Sequence, residues 1–105
     1  MDRFLIVYRG APAGDDAEGA QHEPQRWAAW FDVLGADLVD RGSLTRSSIE
    51  IPSRLIGPKL SGSALSGYSV VQAADFDAVV RLVQACPVFD ERGSVEIARL
   101  ADGAP

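Results

Sequence analysis

Side chains that could transfer a proton near neutral pH are scarce in this sequence. His22 is its single histidine, and histidine is the residue whose unperturbed pKa lies closest to neutrality. It sits at the edge of a segment rich in glycine and small residues, which predicts an exposed position near the start of a helix. A role in catalysis would require that segment to fold over a cleft.

Cys86 is the single cysteine, and only its thiolate would be a useful nucleophile. The residue ends an apolar stripe with helical spacing, so we expect it to be buried. The carboxyl end of a helix also disfavours a thiolate, because the helix dipole is negative there. The sequence therefore predicts a packing role for Cys86 rather than a reactive thiol.

Aromatic and acidic residues provide the remaining candidates. Trp27 and Trp30 are about one helical turn apart, a spacing more typical of a core stripe than of a stacking platform, although Trp30 could cover a cleft. Polar tips at strand ends, or on the sheet face opposite the helices, would line a cavity; otherwise they have hydrogen-bonded structural roles. The candidate cleft residues are Tyr8, His22, Trp30, Asp40, Tyr68 and Glu96.

The sequence contains no motif for a metal, a nucleotide or a covalent hydrolase mechanism. Asp37, Asp40 and Asp75 lack the spacing of a ligand set. The Gly- and Ser-rich stretch around Gly62 lacks the Lys-Ser/Thr of a phosphate loop, and no Gly-x-Ser-x-Gly elbow or dinucleotide fingerprint is present. We expect no cofactor and no metal, and one cysteine excludes an intrachain disulfide.

Length and charge restrict the remaining possibilities. The 105 residues suit one domain over residues 1–100, followed by a frayed tail at 101–105. A net charge of −5 argues against nucleic-acid binding, which depends on clustered Lys and Arg. The apolar run near the amino terminus is too short for a signal-peptide core or a membrane span. We therefore expect a cytoplasmic protein with no membrane partner.

The first half of the chain predicts a strand, a helix and a second extended segment. The apolar run from Phe4 to Tyr8 suits a central strand, and residues 9–21 suit a mobile loop. Pro24 fits the first turn of a helix with an apolar stripe at Trp27, Trp30, Phe31 and Leu34. Leu38 then begins an irregular extended segment that continues through Leu44, Ile49 and Ile51, and residues 52–64 read as a long exposed connection.

The second half predicts a strand, a capped helix and a final strand. Val70 and Val71 lie in a short apolar run, and Asp75 can cap the helix that follows. We expect that helix to end at Cys86, because Pro87 disfavours helical geometry at the residue before it. Its predicted buried stripe is Phe76, Val79, Val80, Val83 and Cys86. In the final strand Val95 and Ile97 should face the helices, so Glu96 should point away.

This order of elements predicts an α+β domain with the ferredoxin-like βαββαβ pattern. Right-handed crossovers would place the first and third strands in the middle of a four-stranded antiparallel sheet, with both helices on one face. Two helices cannot cover the second face, although the inner strands present aliphatic residues to both. A second copy is the simplest cover, so we expect a homodimer through the sheet face.

Several short segments together resemble the YCII-related family, specifically its DGPF-like branch. They are FLIVYRG, WAAWFDVLG, LVDRG, SGYSVVQA, ACPVF and GSVEIARL, and they span most of the chain. The resemblance implies a dimeric α/β-barrel in which two sheets face each other. Some relatives carry a His-Asp dyad proposed for acid/base chemistry, whereas here the matching positions fall near Trp27 and at Cys86, and GPKLSG stands where DGPF is expected.

Two classes of function follow from these observations. The first is a dimer that binds a small, partly apolar molecule in a cleft between sheet and helices, with at most weak lyase-like activity. The second is a non-catalytic module for protein interaction or regulation. Polar residues that converge on a pocket would favour the first class, and an exposed apolar patch away from the dimer interface would favour the second.

Overall fold

The computed structural model describes residues 1–10, 24–45, 48–60 and 65–101. These residues form an α+β fold with a four-stranded antiparallel sheet and two α-helices. In chain order the elements are β1 (Asp2–Arg9), α1 (Pro24–Leu34), β2 (Leu38–Leu44), β3 (Ile49–Glu50), β4 (Lys59–Leu60), β5 (Leu65–Ala73), α2 (Phe76–Val83) and β6 (Ser94–Arg99). Two 3-10 turns, Gly35–Asp37 and Pro87–Glu91, follow α1 and α2.

The main sheet has the strand order β2-β5-β1-β6, so β1 and β5 are its central strands. Burial along β1 alternates as a strand requires: Phe4, Ile6 and Tyr8 are fully buried, whereas Leu5 and Val7 are half-buried. The two faces of the sheet are therefore in different environments.

Both helices lie on the face that carries Phe4, Ile6 and Tyr8. The Trp27 ring of α1 meets the Tyr8 ring edge-on with centroids 4.8 Å apart, and the Phe76 ring of α2 meets the Phe4 ring at 5.0 Å. Such edge-to-face pairs add to the free energy of burying the rings. Val95 and Ile97 of β6 pack against the same core, and Glu96 lies on the opposite face, as the alternation of that strand predicts.

Helix α1 follows its sequence pattern closely. It begins at Pro24, whose missing N–H costs nothing in the first turn. It ends before Gly35, which adopts a φ of +53° that other residues rarely take. Its apolar stripe is buried as predicted, and consists of Trp27, Trp30, Phe31 and Leu34.

Helix α2 begins as predicted and is shorter than predicted. The Asp75 carboxylate accepts a hydrogen bond from the Ala78 N–H at 2.9 Å and so caps the first turn. The helix ends at Val83, three residues before Cys86, whose own N–H then donates to the Val83 carbonyl.

The predicted buried stripe of α2 is correct at Val79, Val83 and Cys86 and wrong at Phe76 and Val80, which are 41% and 44% exposed. An eight-residue helix has room for only a narrow buried stripe. Phe76 lies at its open end, where the Arg99 guanidinium stacks 5.0 Å from the ring centroid.

Strand β2 is an irregular edge strand. Its pairing with β5 shifts between Leu38 and Asp40, and again between Asp40 and Ser43. Gly42 lies in the second irregularity with a φ of +69°, and a Cβ there would be 1.9 Å from the Tyr68 carbonyl oxygen. Glycine is therefore required for β2 to approach β5, and the bulged edge is a poor template for further strand pairing.

The connection after β2 contains a second, two-stranded sheet that the sequence did not predict. In residues 48–60, here called the arm, Ile49 pairs with Leu60 and Glu50 pairs with Lys59. Strands of two residues are too short to show an alternating pattern. The four aliphatic residues Ile49, Ile51, Leu55 and Ile56 are 65–98% exposed, so the expectation of an exposed connection is met within residues 52–59.

Some predicted features fall outside the described residues. They are residues 11–21 of the predicted loop, His22, residues 61–64 of the predicted connection, and residues 102–105 of the predicted tail. Over the described ranges, no helix is long and apolar enough to span a membrane.

Candidate functional site

The structure separates the candidate cleft residues into two groups. Tyr8 and Trp30 are 0% and 2% exposed and lie in the core beneath α1. Asp40, Tyr68 and Glu96 are exposed and lie on the other face of the sheet. His22 lies outside the described residues. The five described candidates therefore lie on two different faces of the sheet, with Tyr8 and Trp30 on the helix-covered face.

The helix-covered side is closed by a chain of hydrogen bonds. The Tyr8 hydroxyl donates to Ser69 Oγ at 2.9 Å, and the Ser69 hydroxyl donates to the Arg41 carbonyl oxygen at 2.7 Å. The Trp30 indole N–H donates to the Tyr8 oxygen at 3.2 Å. Each polar atom buried by the aromatic core thus has a partner, as buried polar groups require.

Trp27 of α1 makes a similar hydrogen bond on the same side of the sheet. The Trp27 indole N–H donates to Glu91 Oε2 at 2.8 Å, which ties α1 to the 3-10 turn Pro87–Glu91. Throughout the described ranges, no buried side-chain nitrogen or oxygen lacks a hydrogen-bond partner. Between sheet and helices, where the sequence analysis expects a ligand, the buried polar atoms of the described residues therefore bond to one another.

Burial also removes two potential reactive groups on this side. It raises the pKa of Tyr8, against the opposing effect of the hydrogen bonds with Ser69 and Trp30. It raises the pKa of Cys86 to about 12, against the opposing effect of a backbone hydrogen bond with Val88. Both groups are therefore protonated at neutral pH. Cys86 is 2% exposed, which agrees with the packing role predicted for it.

The opposite face of the main sheet, here called the open face, has two rows of side chains that cross all four strands. Strand register places Glu96, Val7, Tyr68 and Ser43 in one row across β6, β1, β5 and β2. The next row contains Ala98, Leu5, Val70 and Asp40. Leu5, Val7 and Val70 are half-buried and form an apolar centre, and the polar residues surround it.

The spacing of the polar residues decides what chemistry the open face can perform. Adjacent strands are about 4.8 Å apart, so Tyr68 and Glu96, two strands apart, have backbones separated by roughly 10 Å. Asp40 and Glu96 are three strands apart, or roughly 14 Å. Residues spread over the face in this way can contact different parts of one ligand.

Arg9 is a residue of this face that the sequence analysis missed. Arg9 pairs with Ser94 in the β1–β6 register, and Glu96 is its diagonal neighbour on the same face. The Arg9 guanidinium is 3.4 Å from Glu96 Oε1. Both side chains are partly exposed, so the pair stabilises the fold only slightly. The sequence offered one usable signal, since Arg9 is two residues beyond Val7 and shares its face.

Among its described residues, the open face carries the Arg9–Glu96 ion pair at one end. Elsewhere Ser43 Oγ donates to the Leu44 carbonyl at 3.2 Å, and Gln72 Nε2 donates to the Ala36 carbonyl at 3.4 Å. Gly42 donates its N–H to Asp40 Oδ1 at 2.8 Å, which holds that carboxylate beside the irregularity of β2. Across the residues that the structure describes, no cluster of three His, Cys, Asp or Glu side chains could hold a metal ion.

Comparisons with known proteins add no identification. No family model matches the chain, and neither a curated protein nor a solved structure matches it. The resemblance to the YCII-related family therefore stays a prediction from the sequence segments alone.

Proposed function

We propose that this protein is a homodimer that binds a small, partly apolar molecule at the open face of its sheet. One observation carries the proposal: the apolar centre formed by Leu5, Val7 and Val70 is surrounded by the polar side chains of Asp40, Tyr68 and Glu96. Binding sites for small molecules typically combine an apolar lining with a few polar groups that fix orientation.

The dimensions of the chain support the homodimer. The shortest dimension of the chain is 20 Å, which is enough for one helix layer and one sheet layer about 10 Å apart. Among the described residues no helix lies on the open face. Leaving a Leu or Val side chain in water costs about 1.5–3 kcal/mol relative to full burial, and a second copy of the same face would cover these side chains in both protomers.

The strand order and the sequence resemblance support the same assembly. The order β2-β5-β1-β6 is the one expected for a ferredoxin-like βαββαβ fold. The YCII-like segments imply a dimeric α/β-barrel, in which two open faces would enclose the ligand. The spread of Asp40, Tyr68 and Glu96 over the face suits contacts with different parts of one ligand, and any lyase-like activity would be weak.

Two measurements test the proposal. Light scattering at micromolar concentration should give the mass of a dimer, and a thermal-shift screen against a metabolite library should yield a stabilising compound, because ligand binding to the native state raises Tm. Tyr68→Ala should reduce that shift, whereas Val33→Ala, an exposed change on α1, should leave it intact. A stable monomer whose melting no compound changes would contradict the proposal.

A second candidate function is a non-catalytic protein-interaction module. It is favoured by the arm, where Leu55 is 98% exposed and Ile56 70% exposed, since such a patch away from the sheet is typical of a docking surface. Under this alternative the wild-type chain would be a monomer that binds an apolar dye. Leu55→Ser with Ile56→Ser would abolish dye binding, and Val33→Ser would not.

A further inference from the structure

We infer that the arm of each protomer packs on the open face of a second copy of this chain. The inference rests on the homodimer of the proposed function and specifies which segment completes its interface. It concerns two apolar surfaces that the described residues leave uncovered, the arm and the open face.

The arm is anchored at the sheet but does not join its core. At its base, the Thr45 N–H donates to the Ser66 carbonyl at 2.8 Å and the Leu65 N–H donates to Ser48 Oγ at 3.2 Å. These bonds hold the arm at the end of β2 and the start of β5, the two strands that carry Asp40 and Tyr68. Its four exposed aliphatic side chains, those of Ile49, Ile51, Leu55 and Ile56, neither belong to the core nor pack against it.

The area needed for a stable dimer indicates that both surfaces take part. A Leu or Ile side chain carries roughly 100 Å² of apolar surface, so the exposed parts of the four aliphatic arm residues supply roughly 300 Å². A standard interface buries about 800 Å² on each partner. The half-buried Leu5, Val7 and Val70 add less than the arm does. Neither surface is sufficient alone, and the two together with their polar neighbours approach the required area.

Charge favours contact between an arm and the rest of a partner over contact between two arms. Arg54, Lys59 and Glu50 give the arm a net charge of +1, in a chain whose net charge is −5. The remainder of the chain is therefore at −6. Two arms in contact would bring like charges together. The open face carries Asp40 and Glu96 against Arg3 and Arg9, so these charges balance and would not repel the arm.

The first test compares dimer dissociation constants by analytical ultracentrifugation. The double variant Leu55→Ser and Ile56→Ser changes exposed side chains and should fold normally, as circular dichroism can verify. Because each substitution acts twice in a two-fold dimer, the dissociation constant should rise at least a hundredfold. Val33→Ser, a change at a 63% exposed position on α1, should alter it less than threefold.

The second test locates the arm by cross-linking. Protomers carrying Leu55→Cys and Tyr68→Cys are mixed and treated with a short bismaleimide, and wild-type protein with its buried Cys86 is the control. Mixed dimers should cross-link several times more than Leu55→Cys alone. Preferential Leu55→Cys homodimer cross-links would show that the arms meet each other and would overturn the inference.

The failure of this inference is distinguishable from the failure of the proposed function. If the arm variant dimerises as well as Val33→Ser does, the arm contact is overturned while the sheet-face homodimer stands. If wild-type protein is a monomer at micromolar concentration, both the homodimer and the arm contact are overturned. Binding of the arm to lipid vesicles or to a different protein would then show what covers it instead.

Discussion

The two faces of the main sheet are built from alternate residues of the same strands, yet their side chains are arranged in opposite ways. On the helix-covered face Tyr8 donates to Ser69 and accepts from Trp30, all three within the closed core. On the open face Tyr68 is 42% exposed and stands beside half-buried aliphatic residues.

The comparison teaches where a ligand or a partner can act on this protein. Hydrogen bonding on the covered face is complete, so its polar groups stabilise the fold and offer nothing to a ligand. On the open face Arg9 pairs with Glu96, and Asp40, Ser43 and Gln72 each bond to a backbone group, while all of these side chains stay partly or largely exposed. Tyr8, near the end of β1, and Tyr68, near the middle of β5, therefore have unrelated roles.

The largest expected difference between the two environments is in thiol reactivity. With its pKa at about 12 instead of 9.0, Cys86 should hold roughly a thousandfold less thiolate than an ordinary thiol at neutral pH. Native protein should therefore react with a maleimide at least a thousandfold more slowly than a Leu55→Cys variant reacts at its exposed new thiol. Rapid stoichiometric labelling of wild-type protein without unfolding would contradict the burial of Cys86.

The same thiol predicts a pH dependence of stability. Burial keeps Cys86 protonated in the folded state, whereas the unfolded chain loses that proton above about pH 9. Because the unfolded state then binds fewer protons, the free energy of unfolding should fall as pH rises from 9 towards 12. Urea titrations of wild type and Cys86→Ala should show a shallower fall in the variant, with the raised pKa of Tyr8 contributing the remainder above pH 10. Equal slopes would show that the thiol does not contribute.

Removing a core aromatic from the covered face should have the largest effect on stability at neutral pH. Trp30→Ala deletes a side chain that is 2% exposed. It also removes the indole N–H that donates a hydrogen bond to the Tyr8 oxygen. We expect a loss of about 3–5 kcal/mol in the free energy of unfolding. Val33→Ala on the same helix, at a 63% exposed position, should change it by less than about 0.5 kcal/mol. Similar losses in the two variants would mean that α1 packs through a different stripe.

Gly42 in the main sheet and Gly57 in the arm show how differently the two regions are packed. Gly42 and Gly57 have similar φ values of +69° and +76°, but an added Cβ meets the Tyr68 carbonyl at Gly42 and nothing within 4 Å at Gly57. Both alanine variants lose about 1–2 kcal/mol from the left-handed backbone. Gly42→Ala should lose about 1–3 kcal/mol more, because the strands must separate. Chemical denaturation measures the difference, and equal losses would place β2 farther from β5.

The smallest expected difference separates the two tyrosines. Tyr8→Phe removes the acceptor of the Trp30 N–H and the donor to Ser69, which should cost about 1–3 kcal/mol for a buried group left without its partner. Tyr68→Phe alters an exposed hydroxyl and should cost less than about 0.5 kcal/mol. If Tyr68→Phe were the more destabilising change in the monomer, the assignment of the two faces would be reversed.

The sequence by itself determined most of the elements. The spacing of Trp27, Trp30, Phe31 and Leu34 predicts α1 and its buried stripe, and Asp75 marks the start of α2. Alternation in the last strand predicts that Glu96 points away from the helices. These features depend on neighbours within a few residues, which the chain order already specifies.

Only the tertiary structure decided which side chains meet. A strand has two faces, and its sequence does not say which one the helices will cover, so Tyr8 and Tyr68 could not be assigned to opposite environments from their types. The pairings of Arg9 with Glu96 and of Tyr8 with Ser69 join residues 87 and 61 positions apart. The arm depends on two-residue strands without a readable pattern, and α2 ends three residues early because it covers only a narrow part of the sheet. Such features follow from strand register and from the contacts between layers, which local sequence does not encode.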